Sequence, residues 1–254
     1  LVYIIIVNWN LKDVTLACLD SIYQLTYPNF RVIVVDNGSQ DSSPAAIAQR
    51  YPQVEQINNP KNEGFGRAFN KGIVRALEDG ADFILLMNND AWIEPQGLEK
   101  LIHHAGDRIG MLAPVIYYAK EPGKIWSAGG NFNPLTLEIK NIREQSIHAA
   151  KGSQTISVDF VTACVVLLPG STFEQIGLFD DRFHAYYEDM DFAQRVKRLG
   201  LQVRVVTGAH AWHKVSMSSG GSYTPNERYW MARSSIRYFT KHSKWWQIPV
   251  IIIY

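Results

Sequence analysis

Along the first ninety residues, short apolar runs that end in polar groups alternate with stretches whose apolar positions return every three or four residues. Val2 to Val7, Arg31 to Val35 and Phe83 to Met87 are runs of the first kind. They are aliphatic and β-branched with little alternation, as strands covered on both faces read. Asn8, Asp36 and the triplet Asn88, Asn89 and Asp90 follow them. Val14 to Leu25 is of the second kind, with Leu16, Leu19 and Ile22 at helical spacing. NGSQDSSP is a turn with capping residues that leads into Pro44 to Tyr51, and Val54 to Ile57 reads as a short further strand. NEGFGRAFNKGIVRALEDG opens as a loop and continues as a helix, with Ala68, Phe69, Ile73, Ala76 and Leu77 on one stripe and Gly80 past its end. Strand, helix, strand implies a right-handed crossover. The pattern therefore predicts four strands of a doubly wound, Rossmann-like, mostly parallel sheet flanked by helices.

From Met111 to Val158, Pro114, Pro122, Gly129, Gly130 and Pro134 interrupt short β-like pieces, which predicts loops and hairpins of the kind that cover a substrate. Regularity returns with a strand over Phe160 to Leu168, a helix at Thr172 to Ile176, a helix from Glu188 to Leu199 closed by Gly200, and a strand at Val203 to Val206. In the last segment Arg233, Arg237, Lys241 and Lys244 recur at helical spacing, followed by Trp245 and Trp246. A basic, aromatic face suits an anionic membrane interface. A helix packed on the domain's own surface suits the pattern equally, and the final apolar run is too short to span a bilayer. The expected division is residues 1–222 as one domain, with a nucleotide-sugar half at 1–110 and an acceptor half at 111–222, and residues 223–254 as a basic, aromatic helical segment.

Composition narrows the class. With 254 residues, 46% of them hydrophobic, the chain can bury a full core. A formal net charge of +1 argues against a globally basic nucleic-acid binder, so no nucleic-acid partner is expected. Cys18 and Cys164 sit in apolar surroundings without a CxxC spacing, which gives little support to a zinc site or disulfide framework and makes a reducing cytoplasm the default. The chain begins at Leu1 and ends in IPVIIIY, so both ends read as boundaries within a longer protein.

Three constellations carry candidate chemistry, each with an ordinary alternative. Asn88, Asn89 and Asp90 offer oxygen ligands for a hard cation such as Mg2+ or Mn2+, or form an Asx turn at a strand end. Asn8 and Asp36 would lie side by side on the carboxyl edge of the sheet, where open α/β sheets bind ligands, or Asp36 is a turn carboxylate. Glu188 and Asp189, within HAYYEDMDF, are more carboxylates than a cap needs, although acids in a first turn also stabilise a helix macrodipole. His213 is a neutral imidazole ligand or a strand-end histidine. The GxG in GFGRAFNKG lacks the third glycine of a dinucleotide fingerprint.

Taken in order, VNWN, VVDNGSQD, NEGFGRAFNKG, LLMNNDAWI, VDFVTACVVLLP, GLFDDRFHAYYEDMDFAQRVKRLG and AWHKVS resemble a family 2 inverting glycosyltransferase of GT-A fold, and more narrowly its bacterial rhamnosyltransferase-like branch. The resemblance runs from Val2 to about Ser219. It implies a nucleotide-diphosphate sugar donor, UDP- or dTDP-linked with dTDP-rhamnose among the candidates, and a polysaccharide or lipid-linked glycan acceptor at the inner face of the plasma membrane. By the same resemblance Asp36 accepts a hydrogen bond from the base with Asn70 nearby, and Asn88, Asn89 and Asp90 occupy the place of the DxD motif. Asp90 and His213 hold Mg2+ or Mn2+, and Glu188 and Asp189 match the catalytic ED pair with Asp189 as the base. Two positions depart: Asn88 removes one anionic ligand, and Thr162 stands where relatives commonly have glycine. A carboxylate at a helix N-terminus is expected to be a weak base, with proton transfer late. The basic residues of the last segment belong to neither proposed site, so activity on a soluble acceptor is expected to survive their neutralisation. The rival readings are a sugar-phosphate nucleotidyltransferase, which would want a Gly-rich basic loop after the first strand where VNWNLKD stands, and a non-catalytic carbohydrate-binding module.

Overall fold

The computed structural model describes residues 1–133, 135–136, 138–142, 147, 154–215 and 224–247. The first half alternates as its pattern predicts: β1 (Val2–Asn8), α1 (Lys12–Ile22), β2 (Phe30–Asp36), α2 (Ser43–Arg50), β3 (Glu55–Asn58), α3 (Phe65–Glu78) and β4 (Phe83–Asn88). There follow β5 (Ala91–Ile93), α4 (Gly97–His103), β6 (Ile109–Tyr118), β7 (Ile125–Ser127), β8 (Gly130–Phe132), β9 (Ile139–Asn141), β10 (Thr155–Ser157) and β11 (Val165–Pro169). The last elements are α5 (Gly170–Ile176), α6 (Glu188–Arg198), β12 (Gln202–His213), α7 (Pro225–His242) and a 3-10 turn at Trp245–Gln247.

The main sheet runs β10-β12-β6-β11-β4-β1-β2-β3, with β5 paired to β12 and β7 to β6. Strands β3, β2, β1 and β4 are mutually parallel, as are β6 and β12. The one reversal in the centre is β11, antiparallel to both β4 and β6. Alternate residues of β1 point to opposite faces. Tyr3, Ile5 and Val7 pack into the cluster that holds Phe69 and Ile73 of α3 and Phe192 of α6. Val2, Ile4 and Ile6 pack with Cys18, Leu19 and Ile22 of α1. Two covered faces are why these strands read as unbroken apolar runs.

Three elements differ from expectation. The loop-and-hairpin reading holds for β7 to β10, but Met111 to Tyr118 lies in the ten-residue central strand β6, whose first eight residues are buried. Pro114 masked it. Proline has no N–H for a ladder and is tolerated where pairing is irregular, and here it faces Val206 at a register break after which Val115 pairs with His210. That same irregularity let β12 read as only Val203 to Val206, whereas it continues to His213. Of Phe160 to Leu168, only the part from Val165 is strand.

The C-terminal helix lies against the body. Ser234 and Tyr238 are buried, and Tyr238 shares a cluster with Phe183 and Met190. Two of its basic residues are committed inward: the Arg237 guanidinium donates to the Arg182 carbonyl, and Lys241 Nζ reaches Asp180 Oδ2 at 2.7 Å and Asp191 Oδ1 at 2.6 Å. Among the described residues no helix is long and apolar enough to cross a membrane.

Candidate active site

The polar ends of β1, β2 and β4 meet because the three strands are in parallel register, Asn8 against Asp36 and Val7 against Asn88. Asn8 is fully buried and joins them. Its amide nitrogen donates to Asp36 Oδ1 at 2.7 Å and to Ser39 Oγ at 3.0 Å, while its Oδ1 accepts from the Thr15 hydroxyl at 2.5 Å and from Asn89 Nδ2 at 3.3 Å. Asn89 also donates to Thr15 Oγ1 at 2.9 Å. Buried amides cost free energy unless paired, and this network pairs them. Asp36 takes the Ser39 N–H at 2.9 Å as well, the turn role its spacing left open. Its neighbour Asn37, for which periodicity gives no signal although it directly follows Asp36, lines the cleft.

That cleft encloses about 700 Å3 and is lined by both candidate clusters, Asn88, Asn89, Asp90 and His213 from one set of elements and Glu188 and Asp189 from another. His213 ends β12 opposite Ala91 of β5, so its Nε2 lies 2.9 Å from Asp90 Oδ1, with both side chains under a tenth exposed. Trp126 packs edge-on against the His213 ring at 4.4 Å between centroids. His213 Nδ1 and Asn88 Oδ1 are buried without a hydrogen-bond partner. Burial, followed by the Asp90 charge, pushes the Cys18 and Cys164 thiols up, so both are unreactive neighbours.

A divalent oxygen-seeking cation fits this donor set. Among the described residues no three His, Cys, Asp or Glu side chains gather into a complete cage. The orphaned Asn88 Oδ1 offers a buried lone pair to a cation, and the His213 ring beside it also has an unpartnered nitrogen, Nδ1.

Glu188 and Asp189 open α6 on a strained step. Tyr186 and Tyr187 both have positive φ, 64° and 66°, a region that costs a non-glycine residue about 1–3 kcal/mol. Val215 beyond β12 has φ 59° although it is β-branched, and Tyr186, Tyr187 and Val215 all line the cleft. Asp189 Oδ2 accepts from the Ala163 N–H at 3.3 Å, and the Thr162 hydroxyl also bonds to it. Glu188 is 5% exposed with Oε2 unpartnered. Burial raises both carboxyls above the ordinary range, and for Glu188 the adjacent Asp189 charge adds to it. This corrects the weak-base expectation: desolvation outweighs the helix N-terminus.

Three nucleotide candidates do not line the cleft: Asn8 and Asp36 are buried beneath it in the network just described, and Asn70 is directed elsewhere. Its amide bridges the Phe179 backbone, donating to the carbonyl at 2.9 Å and accepting from the N–H at 3.0 Å, and it does not line the cleft. The opposite wall comes from residues that periodicity alone did not single out. His184 stacks on Trp230 of α7 at 4.1 Å, and burial and then Arg233 lower its pKa. The approach of this wall requires a glycine at position 64. Gly64 has φ 92°, and a Cβ there would stand 2.6 Å from His184 Nδ1.

A family model described as glycosyl transferase family 2 matches residues 3–164. The N-acetylglucosaminyl-diphospho-decaprenol L-rhamnosyltransferase of Mycobacterium tuberculosis is 26% identical over 247 residues, covering 86% of this chain and 78% of that protein. The dTDP-rhamnosyl transferase RfbF of Shigella flexneri is 23% identical, covering 99% and 82%. Among solved structures, GalNAc-T7 with UDP, GalNAc and Mn2+ superposes with a TM-score of 0.69 at 14% identity, over 84% of this chain and 43% of that one. That likeness is one of fold, GT-A.

Proposed function

Since the chain belongs to glycosyl transferase family 2, we propose that it is a metal-dependent inverting enzyme that moves a sugar from a UDP- or dTDP-sugar to the hydroxyl of a polysaccharide or lipid-linked glycan. The nucleotidyltransferase and carbohydrate-binding-module readings lapse with that membership. The observation that carries the proposal is one cleft lined by a paired Asp90 and His213 and by two carboxyls of raised pKa. Rhamnose is favoured as the donor sugar by the named activities of two relatives, and a dTDP-linked donor by one of them.

Asp90 and His213, with Asn88 beside them, would hold Mg2+ or Mn2+. The cation would neutralise charge on the departing diphosphate. The end of the cleft by Asn37, above Asp36 and Asn8, would take the base. Asp189, ionised and oriented by Thr162 and the Ala163 N–H, would remove the proton of the acceptor hydroxyl as that oxygen attacks the face opposite the nucleotide. Its raised pKa suits that task better than an ordinary carboxylate would. A single displacement with one base inverts the anomeric carbon, by the same geometric logic that separates inverting from retaining glycosidases. Residues 1–110 would thus supply most of the donor site and 111–222 the acceptor base, with His213 crossing to complete the cation site beside Asp90.

A site at the inner face of the plasma membrane is part of the proposal. It rests on the outer side of α7 and the turn after it, where Tyr229, Ile236 and Trp245 are exposed and Arg233 and Lys244 supply positive charge. The test is a panel of sugar nucleotides with Mn2+ and candidate glycans, read by mass. Transfer from a dTDP- or UDP-sugar with inverted anomeric configuration is expected, and a retained configuration would overturn the mechanism.

A further inference from the structure

The strained step before Glu188 is gripped along its length by α7. Trp230 stacks on His184, and the Ser234 hydroxyl donates to the Ala185 carbonyl at 2.7 Å. Tyr238 packs on Tyr187 at 5.5 Å between ring centroids. Past the step, Asp191 in the first turn of α6 is fully buried, with Lys241 Nζ and His242 Nε2 each 2.6 Å from its Oδ1 and Arg195 Nε 3.0 Å from its Oδ2. Two of those three partners come from the last turn of α7. A buried carboxylate bridging two helices fixes their relative placement, because every alternative leaves a charge unpaired.

We propose that α7 is a brace for the catalytic turn: Ser234, Lys241 and His242 hold Ala185 and Asp191 on either side of Tyr186 to Asp189, and so set the direction of the Asp189 carboxylate. Ser234, Lys241 and His242 do not line the cleft, so they act through the turn as positioning residues. The brace explains how two consecutive tyrosines persist at positive φ, a conformation that endures only where surrounding contacts over-determine it. It also reverses the expectation that the basic residues of this segment are dispensable for chemistry. The inference rests on the assignment of Asp189 as the base.

Two isosteric losses and their conservative partners test it. Lys241→Met and His242→Phe remove the bonds to Asp191, while Lys241→Arg and His242→Gln keep a donor in reach. The brace predicts that kcat falls about 10- to 100-fold in the first pair, since a shift of about 1 Å at a reacting group costs that much. The donor KM and Mn2+-supported nucleotide affinity should stay within about twofold, and the conservative pair should recover most of the turnover. Amide exchange should quicken in residues 183–191 and stay slow in β1 and β4, a readout that needs no activity. Unchanged exchange in 183–191, or turnover and nucleotide affinity declining together with faster exchange in the sheet, would overturn the brace. If the wild type transfers from no sugar nucleotide, the activity reading fails, and the exchange measurement still decides whether α7 holds the turn.

Discussion

In the proposed mechanism Asp90 is the residue on which metal-supported donor binding depends, because Asn88 and Asn89 are uncharged and His213 leans on Asp90. Asp90→Ala should abolish Mn2+-dependent binding of dTDP or UDP, measured by calorimetry, with the fold retained by circular dichroism. Nucleotide affinity in the wild type that EDTA leaves unchanged would refute the metal role. Asp189→Asn keeps shape but not basicity, so turnover should drop about 100- to 10,000-fold with donor binding nearly intact. Glu188→Gln separates the pair by pH. Both carboxyls have folded pKa values above their unfolded ones, so the folded state binds more protons in that window and stability declines as pH rises through it. Removing the unpartnered Glu188 charge should therefore raise stability by about 1–3 kcal/mol at about pH 8 and hardly at all at about pH 5. The acid limb of the kcat profile, set in the proposed mechanism by ionisation of Asp189, should stay in place, because Glu188, which the Asp189 charge helps to raise, is still a neutral acid where Asp189 ionises. Thermal melts and rate profiles of the one variant check both. At this scale Asp90 was legible as a carboxylate just past a buried strand and its partnership with His213 only through the family resemblance, whereas the Asn70 bridge to Phe179, 109 positions away, has no local signal.

At the scale of elements, the loop before α3 and the wall behind His184 meet at Gly64, which has φ 92° and ψ 167°, a region essentially reserved for glycine. Gly64→Ala should destabilise the protein by about 1–3 kcal/mol, with the melting midpoint as readout, because it adds both strain and a contact with His184. The same reasoning explains what periodicity could and could not convey. The β1 to β4 units were legible because β1, β2 and β4 are buried apolar runs followed by polar or turn residues. β6 and β12 were not, since Pro114 and the register break at Val206 disguise one long parallel pair as fragments. In the last segment the sequence placed four basic residues at helical spacing, but Lys244 lies beyond α7, and the structure turns Arg237 and Lys241 inward and leaves Tyr229 and Ile236 out. Membrane binding should accordingly depend on apolar area: Tyr229→Ser, Ile236→Ser and Trp245→Ser together should reduce cosedimentation with anionic liposomes more than neutralising Arg233 and Lys244 does. Equal cosedimentation of both variants and the wild type at low salt would remove the interfacial role.

At the scale of the whole molecule, residues that end or follow β1, β2 and β4, among them Trp9, Asn37 and Asp90, line one cleft with Glu188 and Asp189 of α6 and His213 of β12, although they lie up to about two hundred residues apart in sequence. The reversal at β11 is what joins them. Running antiparallel between β4 and β6, it sends the chain through Thr162 to Cys164 beside the donor strand before α6 begins. Apolar runs and turn residues made the donor half readable, but no periodicity announces a strand inserted against the direction of its neighbours. A cleft assembled from both halves has a thermodynamic consequence: a ligand that touches both stabilises the fold as a whole. At a concentration of about 100 times its dissociation constant, a nucleotide should add about 2.7 kcal/mol. For a chain of this size that corresponds to a rise in Tm of roughly 5–10 °C. The rise should require Mn2+ or Mg2+ and vanish in EDTA and in Asp90→Ala, because the phosphates then meet no cation. It should survive in Asp189→Asn, whose side chain is assigned to the acceptor. An equal rise with and without metal would place the phosphates on protein groups alone and separate nucleotide binding from Asp90 and His213.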